Sequence, residues 1–559
     1  MDKNNLQKFK AILDNLLAKA NNEDIFLSDK KQKVFLSYSD GAERAKTVFG
    51  TGNTLATAFS AAKNLAVKSI KDYNKLPKWV MINVVTNQFQ SSVNEYYKML
   101  MNTRRGYLRY GIAFDDMFNI AFLEQEIYGL NLIKYVKRHE QYFHEENITK
   151  YLRKSKGYKS SFSFKTDNSK PLILFETKSF FYDDGDYLEL DSDTASLQKG
   201  IRTYDVVKEE NPDALLSLTN KTADALVSTL NTDGSFVYGY YPCYSVVCAG
   251  YNVPRHALAV YSLADLYLLN REEKYKEAAL LSLEYMIDTF VYHHDENTAF
   301  ILDHINENET EIKLGALGMA ILAITKCMEI SEASYLPVLR KLGNGILYMQ
   351  NKETGNYIHV LNYPDMALKD EFRIVYYAGE ACFALTRLYT ADRDQKWMDS
   401  IERAFDFFIK NDYHKYSDHW LAYAVNELAL YKTDDKYFEF GLKNAFYDLD
   451  FIINRDTTWN TFLEMLNASF FAIKKMEELG KGYLLKPYDM GKLIHAMETR
   501  LNRQYASIMF PEMAMFFKFP EKILHGIFIR HHSFRVRNDD VAHHLMGYSN
   551  YYRIRFHAS

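Results

Sequence analysis

The sequence predicts a mainly α protein in which an α+β N-terminal domain, residues 1–205, precedes a C-terminal (α/α)6 toroid, residues 206–559. Three observations carry that expectation. Before residue 200, β-branched and aromatic runs such as KVFLSYS (33–39), KWVMINVVT (78–86) and PLILFETKSFFY (171–182) alternate with helical stretches, which is an α+β pattern. From residue 206 the strands thin out and helices arrive in pairs, one apolar nearly all round and the next charged on one face. The segments feeding the apolar helices, DGSFVYGYYP (233–242), NTAFILDH (297–304) and TGNYIHVLNYP (354–364), each set a turn residue before an alternating run, a hairpin signature at one rim. An open solenoid would show a fixed repeat, and none is visible.

Taken in order, MDKNNLQKFKAILDNLLAKANNED reads as an amphipathic helix with no apolar run long enough for a signal peptide. A cytoplasmic chain is the expectation. FGTGNT (49–54) opens the helix LATAFSAAKNLAVKSIKDYNK (55–75). Its glycines could admit an anion, but no P-loop Lys or full dinucleotide fingerprint follows, so a turn with Thr54 as helix cap is the reading. In the second domain NVPRHALAVYSLADLYLLN (252–270) is an inner helix, and the later inner segments start near 311, 376, 418, 461 and 538. Their outer partners include KYKEAALLSLEYMIDTF (274–290) and KWMDSIERAFDFFIK (396–410). Truncation at residue 205 is expected to leave a soluble helical fragment.

Charge and composition exclude some classes of function. Lys and Arg number 68 against 72 Asp and Glu, a formal charge of −4, so nothing global draws the chain to nucleic acid or an anionic membrane. The four cysteines have no Cys-x-x-Cys spacing and read as reduced. No transmembrane span is visible. The 43 Tyr and 37 Phe suit an aromatic-lined cavity or amphipathic core edges.

In a closed toroid the inner helix starts share one rim, and the candidate site is built there. Glu380, Asp540, His256 and Tyr377 are the candidate catalytic groups; Arg255, Tyr240, Tyr241, Asp418, His419 and Trp420 are candidates for holding substrate. A Glu such as Glu380 can act as a general acid if burial raises its pKa, or merely face the helix dipole. Asp418 and Asp540 also suit helix caps, and Trp420 suits stacking on a sugar. Arg255 at a helix N-terminus opposes the dipole and so wants an acidic partner or ligand, such as a uronic acid carboxylate. Histidines 531, 532, 543 and 544 fit no familiar zinc spacing, so neither metal nor cofactor is expected.

RHALAVYSLADLY and YYAGEACFALTRLY resemble helices of the (α/α)6 carbohydrate-active superfamily, particularly the helical domain of glucuronyl C5-epimerases. More distantly the pattern is similar to N-acylglucosamine 2-epimerases and toroidal glycosidases and lyases. The likeness covers about residues 206–559 and is one of helix pattern. It implies an enzyme on an oligosaccharide or a glycan in assembly, working by glycoside hydrolysis or by epimerisation or elimination at a sugar carbon. A non-catalytic glycan-binding or scaffold protein, and an enzyme on a non-sugar ligand in the same fold, are the alternatives. Two carboxyls at roughly 5 or 6.5–9.5 Å would favour hydrolysis; a Tyr/His/Arg cluster would favour epimerisation or elimination.

Overall fold

Strand Gln32–Ser39 buries all its residues, so the sheet containing it must be covered on both faces. The computed structural model describes residues 2–21, 31–70, 75–137, 140–156, 158–159, 171–193, 195–204 and 211–556. In it the strands run antiparallel in the order Lys46–Gly52, Gln32–Ser39, Trp79–Ser92, Pro171–Asp183, Gly111–Ala113, Ala121–Phe122. Because side chains alternate along a strand, Val34, Leu36, Tyr38, Val80, Ile82 and Val84 form one core with Phe9, Leu13 and Phe59 of helices Lys3–Asn21 and Leu55–Ser69. Phe35, Trp79 and Met81 point the other way, onto Phe118, Phe175, Met515 and Phe516. Thr54 closes a capping box with Thr57. Gly50 and Gly52 lie directly against that helix, since a Cβ on Gly50 would stand 2.2 Å from the Ala58 carbonyl oxygen. The FGTGNT glycines therefore serve close strand–helix packing.

The chain divides into two compact units. The first comprises Met1–Tyr204, Tyr240–Val246 and Tyr505–Val536; the second comprises Asp205–Gly239, Val247–Gln504 and Arg537–Ser559. Two segments that the sequence reading placed in the C-terminal domain thus belong to the first unit. Side-chain bonding gives the reason: Arg202 pairs with fully buried Glu512 at 2.7 Å, and Arg44 donates to the carbonyls of Gly129, Cys243 and Phe516.

The second unit carries α1 (Pro212–Val227), α2 (Val253–Asn270), α3 (Glu273–Phe290), α4 (Leu314–Met328), α5 (Leu336–Tyr348), α6 (Tyr376–Asp392), α7 (Gln395–Lys410), α8 (His419–Leu428), α9 (Asp435–Phe446), α10 (Thr461–Glu478), α11 (Met490–Tyr505) and α12 (Asn538–Phe556). The even-numbered helices touch in succession, and α12 returns to α2. Of the odd-numbered ones α3 lies on α2, α5 on α4, α7 on α6, α9 on α8 and α10, and α1 on α12. Helices packed on both sides must be apolar nearly all round; Leu314 to Cys327 of α4 are all buried.

Charged groups tie the C-terminal ends of the inner helices together. Asp265 of α2 bonds Arg553 of α12 at 2.7 Å and Lys326 of α4 at 3.4 Å. Arg387 of α6 reaches Glu329 just beyond α4, and also Glu427 of α8 at 3.1 Å. Lys475 of α10 donates to the Asn426 carbonyl oxygen of α8 at 2.8 Å. Burial pushes the Asp265 carboxyl up, but Arg553 and Lys326 outweigh it and hold the group below its ordinary value. No described helix is long and apolar enough to cross a membrane, and among the described residues the four cysteines form no disulfide.

Candidate active site

The opposite ends of the inner helices meet at their N-termini. Asn252 caps α2 by accepting from the Arg255 N–H, and Asp418 caps α8 with its Oδ1 on the Trp420 N–H at 2.9 Å. Asn444 holds Asp418 from both sides, accepting from its N–H and donating to its carbonyl oxygen, each at 2.9 Å. The backbone therefore fixes where Asp418, His419 and Trp420 stand.

Small residues let acidic groups approach. A Cβ on Gly315 of α4 would lie 2.3 Å from Glu380 Oε2 and 2.4 Å from the Tyr377 ring, and one on Gly379 would lie 2.5 Å from Asp418 Oδ2. Glu380 and Asp418 are both buried, and Glu380 Oε2 and Asp418 Oδ2 have no hydrogen-bond partner. Burial, then the charge of Asp418, pushes the Glu380 carboxyl well above the ordinary value; the Trp420 indole offsets part of this. Burial does the same to Asp418, against the pull of the helix N–H groups.

Beside them stands a pair of imidazoles. The rings of His419 and His543 are 5.4 Å apart, the Tyr376 ring meets His419 edge-on at 5.0 Å, and Trp420 lies 4.7 Å from His419 and 6.3 Å from His543. Both ring nitrogens of buried His419 lack hydrogen-bond partners. Its pKa is held well below the ordinary value by burial and then by His543. His543 is different: its Nδ1 bonds Glu464 Oε1 at 2.6 Å, and that carboxylate, aided by Asp539 and Asp540, outweighs burial and raises the imidazole. The other Glu464 oxygen accepts from the Tyr423 hydroxyl at 3.3 Å, and Asn550 donates to that hydroxyl at 3.0 Å.

One ligand atom each from His419, Glu464 and His543 all fall within 4.8 Å of one another, a span a metal ion could bridge. Glu464, however, has both oxygens bonded by protein partners. Protein hydrogen bonds thus account for its position with no cation required.

The candidate residues separate into groups. Tyr377, Glu380, Asp418, His419 and Trp420 come together. Arg255 finds its acid within the chain: Nε pairs with Asp539 Oδ2 at 2.7 Å, and Nη1 donates to the Tyr238 hydroxyl. Asp539 and Asp540 also face Arg537, at 3.0 and 3.3 Å, and Asn460 donates to the Asp540 carbonyl oxygen. His256 is a correction. It is fully buried, its Nε2–H donates to the Ser282 carbonyl oxygen of α3 at 2.9 Å, and its Nδ1 accepts from Tyr251 at 2.7 Å. One residue on from Arg255 is a 100° turn of the helix, so His256 faces the outer helix as a packing residue. Tyr240 and Tyr241 lie in the first unit, where both are half-buried and the Tyr240 hydroxyl lies close to Gly526.

The sequence reading missed Glu464 and did not choose His543 among its site residues. A signal existed for both. Glu464 is a lone acid four residues into TFLEMLNASFF, as Glu380 is five residues into YYAGEACF, and His543 is six residues into NDDVAHH.

No protein-family model matches the chain, and no curated protein matches it. Among solved structures, D-mannose isomerase is similar over 61% of this chain and 97% of its own, with 11% identity and a TM-score of 0.46. An unsaturated glucuronyl hydrolase specific for heparin is similar over 62% and 98%, with 13% identity and a TM-score of 0.44. Cellobiose 2-epimerase from Bacillus thermoamylovorans is similar over 53% and 88%, with 13% identity and a TM-score of 0.42.

Proposed function

We propose that the second unit is an (α/α)6 toroid acting on a carbohydrate, and that its N-terminal rim transfers a proton at a sugar carbon, as in isomerisation or epimerisation. The observation that carries this reading is the pair His419 and His543, with rings 5.4 Å apart and pKa values pushed in opposite directions. Two titratable groups driven apart by their surroundings divide into a base and an acid. Neutral His419, with unpartnered nitrogens, takes the proton from a carbon beside a carbonyl group. His543, whose hold on its proton is strengthened by Glu464, gives its Nε2 proton to the carbonyl oxygen. The enediol so formed collapses as His419 returns the proton to the neighbouring carbon or to the other face of the first, while His543 takes back a hydroxyl proton and so restores the carbonyl group. Glu464 is a positioning residue, acting through His543.

The same geometry weighs against glycoside hydrolysis, which needs one ionised carboxylate as nucleophile or base; burial pushes Glu380 and Asp418 both up. As neutral acids they suit donation to sugar hydroxyls, with Trp420 and Tyr377 supplying aromatic faces. Arg255 already holds Asp539, and an acidic sugar has to displace that carboxylate, so neutral sugars are the favoured substrates.

The test is exchange of the sugar C2 hydrogen in D2O, followed by NMR over a panel of reducing mono- and disaccharides. His419→Asn and His543→Asn are each expected to slow exchange by about 10²–10⁴-fold. Glu464→Gln removes the charge that raises His543, so the alkaline limb of the pH profile, where His543 loses its proton, moves to lower pH. Dialysis against a chelator leaves the rate unchanged; a rate abolished by the chelator and restored by zinc replaces proton shuttling with a metal centre. Exchange that persists in both histidine variants, or glycan binding without exchange in any folded preparation, overturns the reading.

A further inference from the structure

Arg530, in the first unit, is buried to 7% exposure with an unmatched charge. Arginine is rarely buried without a partner, yet Nη1 of Arg530 has no hydrogen-bond acceptor. Among the described residues no ion pair includes it. Its guanidinium is held by aromatic rings instead, with centroids of Phe534, Phe528 and Tyr107 at 5.0, 5.6 and 5.9 Å. Gly106, at φ +80°, brings the loop carrying Arg105, Tyr107 and Arg109 against this segment, where a Cβ would stand 2.9 Å from the Arg530 carbonyl oxygen.

The surrounding charges deepen the imbalance. Arg109 pairs with Glu124 at 2.5 Å, and Lys199 reaches the same carboxylate at 3.9 Å. These two cations, both nearly buried, meet at one acid, Lys199 also feeling Glu176 and Asp191, and Arg530 brings a further cation with no ion pair of its own. Arg105 stacks on Tyr135 at 3.5 Å and donates to Ser533, while its buried Nε is unpartnered. Burial and then the charge of Arg109 push the Arg530 guanidinium down to about 10. An excess of positive charge out of water is costly unless an anion meets it.

We propose that Arg530, near an Arg109 whose own nitrogens are held by Glu124 and the carbonyl oxygens of Leu197 and Lys199, forms a site for a phosphate group, either inorganic phosphate or the phosphate of an ester. The unpaired positive charge of Arg530 is what a phosphate monoester, at roughly −1.5 to −2 near neutral pH, would meet. The planar guanidinium presents paired N–H groups to two of its oxygens.

The experiment is isothermal titration of the full chain with inorganic phosphate and, separately, with glucose 6-phosphate, at constant ionic strength set with chloride. One saturable site is expected for at least one of them, with the tighter ligand identifying the source. Arg530→Gln is expected to weaken it by about tenfold or more, and Arg530→Lys, which keeps the charge but not the fork, by less. If Arg530→Gln fails to fold, protection of Arg530 from phenylglyoxal in the unaltered chain, mapped by mass spectrometry, supplies the same answer: phosphate protects and chloride does not. No saturable binding of either ligand, unchanged affinity in a folded Arg530→Gln protein, or equal protection by chloride overturns the proposal.

Discussion

His256, His419, His543 and His544 share one side chain and do four different things, because an imidazole's behaviour is set by what surrounds it. His543 is raised by the Glu464 carboxylate; His419, whose Nδ1 lies 3.5 Å from Asp418 Oδ1 without a hydrogen bond, is lowered by burial and then by His543. His544, one residue and 100° of helix beyond His543, stacks on Tyr548 at 4.0 Å and is pushed down to about 3 by burial. His256 spends both nitrogens on neighbours and is pushed by burial down to about 4. That last value carries a stability prediction. An unfolded histidine titrates near 6.5, so between roughly pH 6.5 and 4 the unfolded chain takes up a proton that folded His256 refuses. Its contribution is therefore complete above that window and lost as the pH falls through it, amounting to about 3 kcal/mol. His256→Gln can still donate to the Ser282 carbonyl oxygen but cannot titrate. Chemical denaturation from pH 7 to 4 should show a shallower loss of stability in this variant. His359, also lowered to about 4 by burial, and His544 keep part of the slope. Equal slopes in both proteins would remove His256 from the account.

At the level of single elements, helix starts were the most legible feature and side-chain direction the least. The Asn252 cap and Pro254 mark the beginning of α2, and Thr54 the beginning of Leu55–Ser69, because these signals are local. Which way His256 points depends on where α3 lies, and neighbouring sequence does not contain that. Gly315 teaches the same lesson: in EIKLGALGMAIL it reads as one small residue of an apolar inner helix, while in space it is the opening through which Glu380 and Tyr377 of α6 approach α4. Gly315→Ala places a methyl where no shift of a flexible end suffices, since the ring and the carboxyl are both in the way. Overpacking of this kind costs about 1–3 kcal/mol. The variant should lose that much in denaturant unfolding and should also lose sugar exchange. Gly482→Ala, where nothing lies within 4 Å of the added Cβ, should leave both close to the parent. A Gly315→Ala protein of parental stability and rate would show that the approach of α6 to α4 is not needed.

At the scale of the molecule, the boundary near residue 205 was visible as a change of texture, but the membership of the later segments was not. Tyr505–Val536 lies between α11 and α12 and carries no composition of its own; what assigns it to the first unit is contact with residues more than 300 positions earlier, such as Arg202 with Glu512. The expectation that a fragment beginning at residue 206 stays soluble has to be replaced. Removing residues 1–205 takes away Arg202, the partner of a Glu512 with no exposure, and a lost partner for a buried charge costs about 3–5 kcal/mol. It also takes away Phe35, Trp79, Met81 and Phe175, against which Met515 and Phe516 are packed. Those two side chains would then meet water, together with the carbonyl groups that Arg44 now satisfies. The fragment 206–559 should therefore be recovered in aggregates or bind a hydrophobic dye strongly. Deleting 240–246 and 505–536 as well does not help, because their ends join helices of the ring. Restoring residues 1–205 as a separate, co-expressed chain should recover soluble protein, since the first unit would again have all its segments. A monomeric 206–559 fragment with cooperative unfolding and no dye binding would show that Tyr505–Val536 does not depend on the first unit for its fold.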